Sequence, residues 1–166
     1  MRCLGLDPGQ SGALVEVASD GRTVVAWRQW RRERTPPRDL LSDLGAETVI
    51  AVEAPFVGRG ARASLVLAEW TGAVLAQIPE GVTVLRPTAQ QWRAKVLRAN
   101  PDRASAKRLA LRAAETVGLV GVPDHVAEAW CLARYAWGYA GANGVGYLRA
   151  HGVEVVEYPG EEDPRG

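Results

Sequence analysis

Four acidic side chains and one imidazole stand where a chain can do chemistry: Asp7, Glu53, Asp124, Glu128 and His125. Asp7 lies in the opening stretch MRCLGLDPGQSGAL. Residues Arg2–Leu6 read as a short buried strand that ends on Asp7 and breaks at once into a Pro-Gly turn. A carboxylate at the end of a buried strand is costly unless something pairs with it, and a divalent metal ion is one natural partner. Asp, Pro and Gly are also ordinary turn residues, so Asp7 alone fits a metal ligand and a turn starter equally. Glu53 repeats the arrangement. The β-branched run Thr48–Val52 is the pattern of a strand buried on both faces, and it too ends on an acid. Two buried strands each ending on a carboxylate is a more specific signal than one, the alternative being a solvated strand-end charge. His125 and Glu128 sit three apart on the first turn of a later helix and share a face. Asp124 looks like that helix's N-cap, and Glu128 also simply favours the helix dipole.

If the strands ending on Asp7 and Glu53 lie side by side and parallel, the two acids meet in the crevice at their carboxyl ends. With the acid of the late helix they form a hard oxygen-ligand cluster suited to Mg²⁺ or Mn²⁺. Such clusters support two-metal phosphoryl transfer, in which one ion generates the attacking hydroxide and the other stabilises the leaving oxygen. A phosphate-bearing partner agrees with the charge pattern. Net charge is only +1, but Arg86–Arg112 holds eight basic residues and one acid, Trp27–Arg38 five arginines and one acid, and Gly152–Gly166 five acids and one arginine. Local basic surface, not the total, matters for a polyanion. Eighteen of the 20 basic residues are arginine, which suits phosphate by its fork geometry, though a GC-rich genome gives the same bias.

The elements that must position these residues follow in order. Ala13–Ala18 and Thr23–Trp30 read as strands joined at Asp20-Gly21, a hairpin signal, so the chain opens as a three-stranded antiparallel meander. Arg31–Pro37 is a basic loop, and Arg38–Leu44 is expected as a short helix ended by Gly45. After the Thr48–Val52 strand comes a Gly/Arg loop, Val57–Arg62. Ala63–Ile78 is a helix apolar around most of its girth, so more than one face is covered, the second by the sheet or by a partner subunit. Val82–Leu85 is a fifth strand, Thr88 caps a helix over Ala89–Leu97, Ala104–Val117 is a second helix, and a long apolar helix runs from Asp124 to about Trp137. Gly138–Gly146 is too glycine-rich for regular structure. Tyr147–Tyr158 holds a short helix and strand, and Glu161–Gly166 is expected to be disordered.

The expected architecture is therefore α/β, a five-stranded mixed sheet with its first three strands antiparallel, flanked by helices. It occupies residues 1–138, with 139–166 a glycine-rich then acidic tail. No run approaches a membrane span and no signal-peptide layout opens the chain. The two cysteines, Cys3 and Cys131, are too few for a disulfide framework or a four-thiolate zinc site. Reduced core cysteines and a cytoplasmic location are expected.

Four stretches resemble the RuvC family of Holliday junction resolvases, within the ribonuclease H-like nucleases. LGLDPG at Leu4–Gly9 resembles the family's first-strand motif and makes Asp7 the first metal ligand. VEAPF at Val52–Phe56 resembles its Glu-x-x-Phe motif, which makes Glu53 the second ligand and Phe56 the aromatic that stacks on bases unpaired at a junction. RASAKRLAL at Arg103–Leu111 resembles the DNA-contacting helix, with Lys107 the phosphate-binding lysine. DHVAEAWCLA at Asp124–Ala133 resembles the last-helix motif and places His125 and Glu128 at the remaining active-site positions. DPG alone is shared with sugar kinases and actin-like ATPases, for whose duplicated domains this chain is too short. The four motifs in order cover about Met1–Trp137 and are specific together.

The resemblance implies an endonuclease that resolves four-way junctions by paired symmetric nicks, leaving 5′-phosphate and 3′-hydroxyl ends. It implies two Mg²⁺ or Mn²⁺ ions per site, a homodimer, branched DNA as partner and no membrane; it names no branch-migration helicase. Two departures stand out. The last acid is Glu128 where the family usually has Asp, and the extra methylene bears on metal preference or activity. His125 suits water activation better than Mg²⁺ ligation, which leaves Asp124 open as a ligand. Phe56, Arg59, Arg62, Arg93, Lys95, Arg103, Lys107 and Arg108 are the expected DNA contacts, with a plain solvated face as the alternative for each arginine. Trp92, next to Arg93, is expected near DNA, while Trp70, Trp130 and Trp137 fit core or interface faces. An RNA-processing nuclease would use the same carboxylates, and a non-catalytic junction-binding protein is the reading that Glu128 for Asp suggests.

Overall fold

The computed structural model describes residues 1–33, 37, 39–55, 61–98, 102–142 and 154–157. Strands β1 (Arg2–Asp7), β2 (Gly12–Val17), β3 (Val24–Trp30), β4 (Thr48–Val52), β5 (Thr83–Arg86) and β6 (Glu154–Glu157) form one sheet in the order β3-β2-β1-β4-β5-β6. The meander β1-β2-β3 is antiparallel, as its hairpin signals require, and β4 and β5 add to β1 in parallel. All five expected strands are present. A sixth, β6, is the short strand expected within Tyr147–Tyr158 of the tail and pairs antiparallel with β5, while the short helix expected beside it falls outside the described residues.

Strand alternation divides the sheet into two apolar faces. Cys3, Ala13, Val15, Val17, Ala51 and Leu85 point to one face, where they meet the buried stripe of α4 (Asp124–Ala142) and the alanines of α3 (Arg103–Glu115). Leu4, Leu6, Leu14, Ile50, Val52 and Val84 point to the other, against Trp70 and Val74 of α1 (Ala61–Leu75) and against Leu40, Leu41 and Leu44. The α4 face is unusually close. A Cβ on Gly5 would stand 2.1 Å from both the Ala129 carbonyl oxygen and the Ala133 amide nitrogen, so α4 lies on the β1 backbone with only hydrogen between them. At its far end Trp137 donates from Nε1 to the Ser19 carbonyl (2.8 Å), and Trp130 donates to the Arg22 carbonyl (3.2 Å). The β2–β3 hairpin is thereby pinned to the same helix.

Several expected elements differ. Asp39–Leu44 forms turns rather than a helix. Asp39 takes a left-handed φ of 58° that a helix cannot accept, and Leu40, Leu41 and Leu44 all turn inward as a plug under the sheet. The helix that begins at Ala89 is α-helical only as α2 (Ala89–Trp92), with the expected Thr88 cap completed by Gln91 as a capping box. It then widens into a π-turn, Arg93–Leu97, that ends at left-handed Arg98. Helix α4 continues through Gly138 and Gly141 to Ala142. The glycines cost roughly 1 kcal/mol each in a helix, and burial of Tyr135, Ala136 and Tyr139 on the core side holds the last turns.

Candidate active site

Asp7 and Glu53 meet as a consequence of register. β1 and β4 run parallel with Leu6 opposite Val52, so the next residues, Asp7 and Glu53, leave the two strands side by side. Both share the face of Gly5 and Ala51, the face that α4 covers. The contact at Gly5 sets α4 so that its first turns overhang these strand ends. Asp7, Glu53, Asp124, His125 and Glu128 accordingly line one cleft of about 850 Å³, together with Pro8, Ser11, Thr88, Gln90, Arg93, Arg103 and Lys107.

The turn after Asp7 is fastened. Trp30 Nε1 donates to the Gly9 carbonyl (2.7 Å), the Arg32 amide donates to Ser11 Oγ (3.2 Å), and the Glu33 amide donates to the Gln10 carbonyl (3.0 Å). On the other side the Ala54 amide donates to the Pro87 carbonyl (2.9 Å), which keeps β4 and β5 joined past Glu53.

The carboxylates are held in different ways. Trp92 Nε1 donates to Glu53 Oε2 at 2.7 Å. Arg93 stacks over the Trp92 ring, 5.2 Å from its centroid, and its guanidinium stands 3.7 Å from Glu128 Oε1. Lys107 Nζ donates to Asp124 Oδ2, and the His125 amide donates to Asp124 Oδ1 (3.0 Å). Asp124 is therefore not the N-cap; it is the first residue of α4, and the Pro123 carbonyl accepts the opening amides of Val126 and Ala127 instead.

Their electrostatics follow from this crowding. Loss of water pushes the Asp7 carboxyl well above the ordinary range, and the charges of Glu128, Glu53 and Asp124 push it further against the pull of Lys107. Glu53 is raised by burial, opposed by the Trp92 hydrogen bond and by Arg93 and Arg103. Glu128 is pushed up to about 7, by burial and then by Glu53, against Lys107 and Arg93. Asp124 is held low by its bond from Lys107. Burial lowers His125 more than Asp124 raises it, with Arg31 also lowering it. The imidazole is thus neutral near pH 7, and its buried Nε2 has no hydrogen-bond partner among the described residues.

Among the described residues, no group of three or more His, Cys, Asp or Glu side chains is gathered closely enough to hold a metal ion. The cations Lys107 and Arg93 instead neutralise Asp124 and Glu128. The donor set nonetheless fits a hard divalent cation, since several carboxylates raise one another's proton affinity in a half-buried cleft, the condition a dication relieves.

The expected DNA contacts divide. Arg93, Arg103 and Lys107 line the cleft. Arg62 lies outside it, lining an adjacent hollow with Gly9, Gln10 and Trp70. Lys95 places its ammonium 5.7 Å from the Tyr139 ring centroid, and Arg108 donates to Ser105 Oγ (2.8 Å); neither lines the cleft. Phe56 and Arg59 fall outside the described residues. Trp92 is corrected: it is 0% exposed, buried among Ala110, Trp130 and their neighbours, and it serves a carboxylate rather than the surface. Ser11, Thr88 and Arg31 were also missed by sequence reasoning. For Arg31 the signal was the unassigned arginine run after β3.

The sheet order and the carboxylates at its strand ends define a ribonuclease H-like α/β fold. Within that class the chain is similar to RuvC from Thermus thermophilus. One such structure aligns with a TM-score of 0.61 at 18% identity; another, solved in complex with a Holliday junction substrate, aligns with 0.57 at 16%. Each alignment covers 94% of this chain and 100% of the other. No protein-family model matches the chain, nor does any curated protein.

Proposed function

We propose that the protein is a metal-dependent endonuclease that resolves four-way DNA junctions by paired symmetric nicks, leaving 5′-phosphate and 3′-hydroxyl ends. The observation that carries this reading is the single cleft that gathers Asp7, Glu53, Asp124, His125 and Glu128 between Arg93, Arg103 and Lys107, in a fold shared with a protein solved on such a junction. Asp7, Glu53 and Glu128 would hold Mg²⁺ or Mn²⁺, with Asp124 joining them once Lys107 leaves it for a phosphate. When bound, the metal supplies Lewis-acid activation of water and charge stabilisation at the leaving oxygen. His125, neutral and with its buried Nε2 unpartnered among the described residues, would accept the proton of the attacking water on movement of the ring or cleft. Lys107 and Arg103 bind the phosphates flanking the scissile bond, and Phe56 stacks on a base unpaired at the branch point. A homodimer presents two such clefts about a dyad, which two symmetric nicks require. A cytoplasmic location completes the reading.

The test is cleavage of a synthetic four-way junction, a matched linear duplex and an RNA hairpin, each in Mg²⁺, Mn²⁺ and EDTA. Paired metal-dependent nicks in the junction alone are expected. Binding without cutting in either metal would establish a non-catalytic junction-binding protein, and cutting of the hairpin in preference to the junction would establish an RNA nuclease. Asp7→Asn is expected to reduce cleavage about a hundredfold to a thousandfold, on the scale of losing a transition-state charge stabiliser, while leaving junction affinity within a few-fold. Full activity in that variant would remove Asp7 from the site.

A further inference from the structure

We propose that Trp92 is a positioning residue for the metal site: its indole N–H fixes which oxygen of Glu53 faces the cleft and does so without neutralising the charge. The inference rests on the metal-dependent reading above and deepens it.

Three features of Trp92 suit it to this task. Its ring is fully buried in the core cluster with Ala110 and Trp130, so the donor cannot swing. The ring is placed by short-range chemistry, because the Thr88–Gln91 capping box starts α2 and the Trp92 amide donates back to the Thr88 carbonyl (3.2 Å). The indole N–H donates to Glu53 Oε2 at 2.7 Å, and Oε1 receives no hydrogen bond from a described residue.

The choice of donor matters. Asp124 and Glu128 are paired with cations, Lys107 and Arg93. A cation must be displaced, or share its carboxylate, before a metal can take it. An indole N–H is neutral and a donor only, so it orients Glu53 and leaves its full negative charge for a dication. The face of the same ring also carries Arg93, which reaches Glu128. One buried aromatic thus orders carboxylates from β4 and α4, and the switch from α-helix to π-turn immediately after Trp92 lets consecutive residues serve both. Partners that orient metal-bound carboxylates are typically worth 10–100-fold in metal affinity.

The test is Mn²⁺ affinity by calorimetry on the full-length protein without DNA, for wild type, Trp92→Phe and, as a reference, Glu53→Gln. The Phe variant keeps an aromatic side chain and removes the N–H donor together with the fused five-membered ring, so a small cavity in the core accompanies the lost donor. It is expected to bind Mn²⁺ about tenfold or more weakly with far-ultraviolet circular dichroism unchanged. Wild-type affinity in a folded Trp92→Phe protein would overturn the proposal while leaving the metal reading intact. Absence of Mn²⁺ and Mg²⁺ binding by the wild type would remove the metal reading and this proposal with it. A second measurement needs no variant. In ¹H–¹⁵N spectra of the wild type, the Trp92 indole resonance should move on Mg²⁺ titration, whereas that of Trp70, on the opposite face of the sheet, should not. A bound metal that leaves the Trp92 resonance in place would overturn the proposal even if the Phe variant fails to fold.

Discussion

At the level of single residues the site is a contest between carboxylates and the cations that restrain them. Glu128 illustrates it. Its carboxyl rises from 4.5 to about 7 in the folded chain. The folded state therefore binds more protons than the unfolded state across that window, and its stability falls as pH rises through it. A rise of this size corresponds to about 3 kcal/mol as an upper bound for one group, and the raised Asp7 and Glu53 act in the same direction. Calorimetric scans in EDTA should show the melting temperature declining between pH 4.5 and about 7. Mg²⁺ or Mn²⁺ should raise it most above that window, where the carboxylates are charged. Glu128→Gln should flatten the decline and shrink the metal-induced rise. A melting temperature that climbs with pH across the window in EDTA would contradict the assigned crowding. The acids were legible in the sequence because each sits where local pattern alone places it, at a strand end or near the start of a helix. Their partners were not. Trp92 lies 39 residues from Glu53 and Lys107 lies 17 from Asp124, and no periodicity reports a pairing across elements.

The elements explain why these residues meet. Register between β1 and β4 joins Asp7 to Glu53, and the hydrogen at Gly5 lets α4 settle on β1 and bring Glu128 over them. Gly5→Ala places a methyl 2.1 Å from two α4 backbone atoms. Neither is a flexible side-chain end, so the helix must lift. The expected cost is about 3 kcal/mol or more, or about 10 °C in melting temperature for a chain of this size, with metal affinity falling because Glu128 moves away from Asp7. An unchanged melting temperature would mean that α4 does not rest on Gly5. The strands and four helices were legible from β-branched runs, apolar periodicity and caps. What escaped depended on tertiary packing. Leu40, Leu41 and Leu44 look helical in spacing but plug the core as turns. Gly138 and Gly141 look like breakers, yet the tyrosines around them hold the helix. The short strand expected within Tyr147–Tyr158 was legible as a strand, and what the sequence did not show is its pairing partner, the edge of β5.

The whole chain is polarised in a way its net charge of +1 hides. The strongly basic segment supplies Arg93, Arg103 and Lys107 to one wall of the cleft, and the arginine run after β3 sends the field of Arg31 to His125 from another side. Strand β6, with Glu154 and Glu157, pairs with β5, the strand on whose last residue, Arg86, the basic segment begins. The cations of the cleft line the carboxylate end of the sheet, where the proposed phosphate-bearing partner would sit. On the proposed reading one such cleft would make one nick, and a symmetric pair of nicks would need a second cleft in fixed relation to the first. Helix α1 is the surface suited to that. Its inner side buries Trp70, Thr71 and Val74, and its outer side leaves Leu65 62% exposed, with Ala68, Gly72 and Ala73 also open to solvent. Exposed Glu69 stands one turn from Leu65 on the same side, so a second carboxylate at position 65 would add like-charge repulsion to the cost of burying an unpartnered charge in a helix contact. Leu65→Glu should therefore convert a dimer to monomers in sedimentation equilibrium. The fold should be unchanged, because Leu65 takes little part in the core. The variant should still nick a four-way junction, but singly, so that in a supercoiled cruciform plasmid the product is open circle rather than linear. A Leu65→Glu protein that remains dimeric and linearises the plasmid would move the two-fold contact to another face.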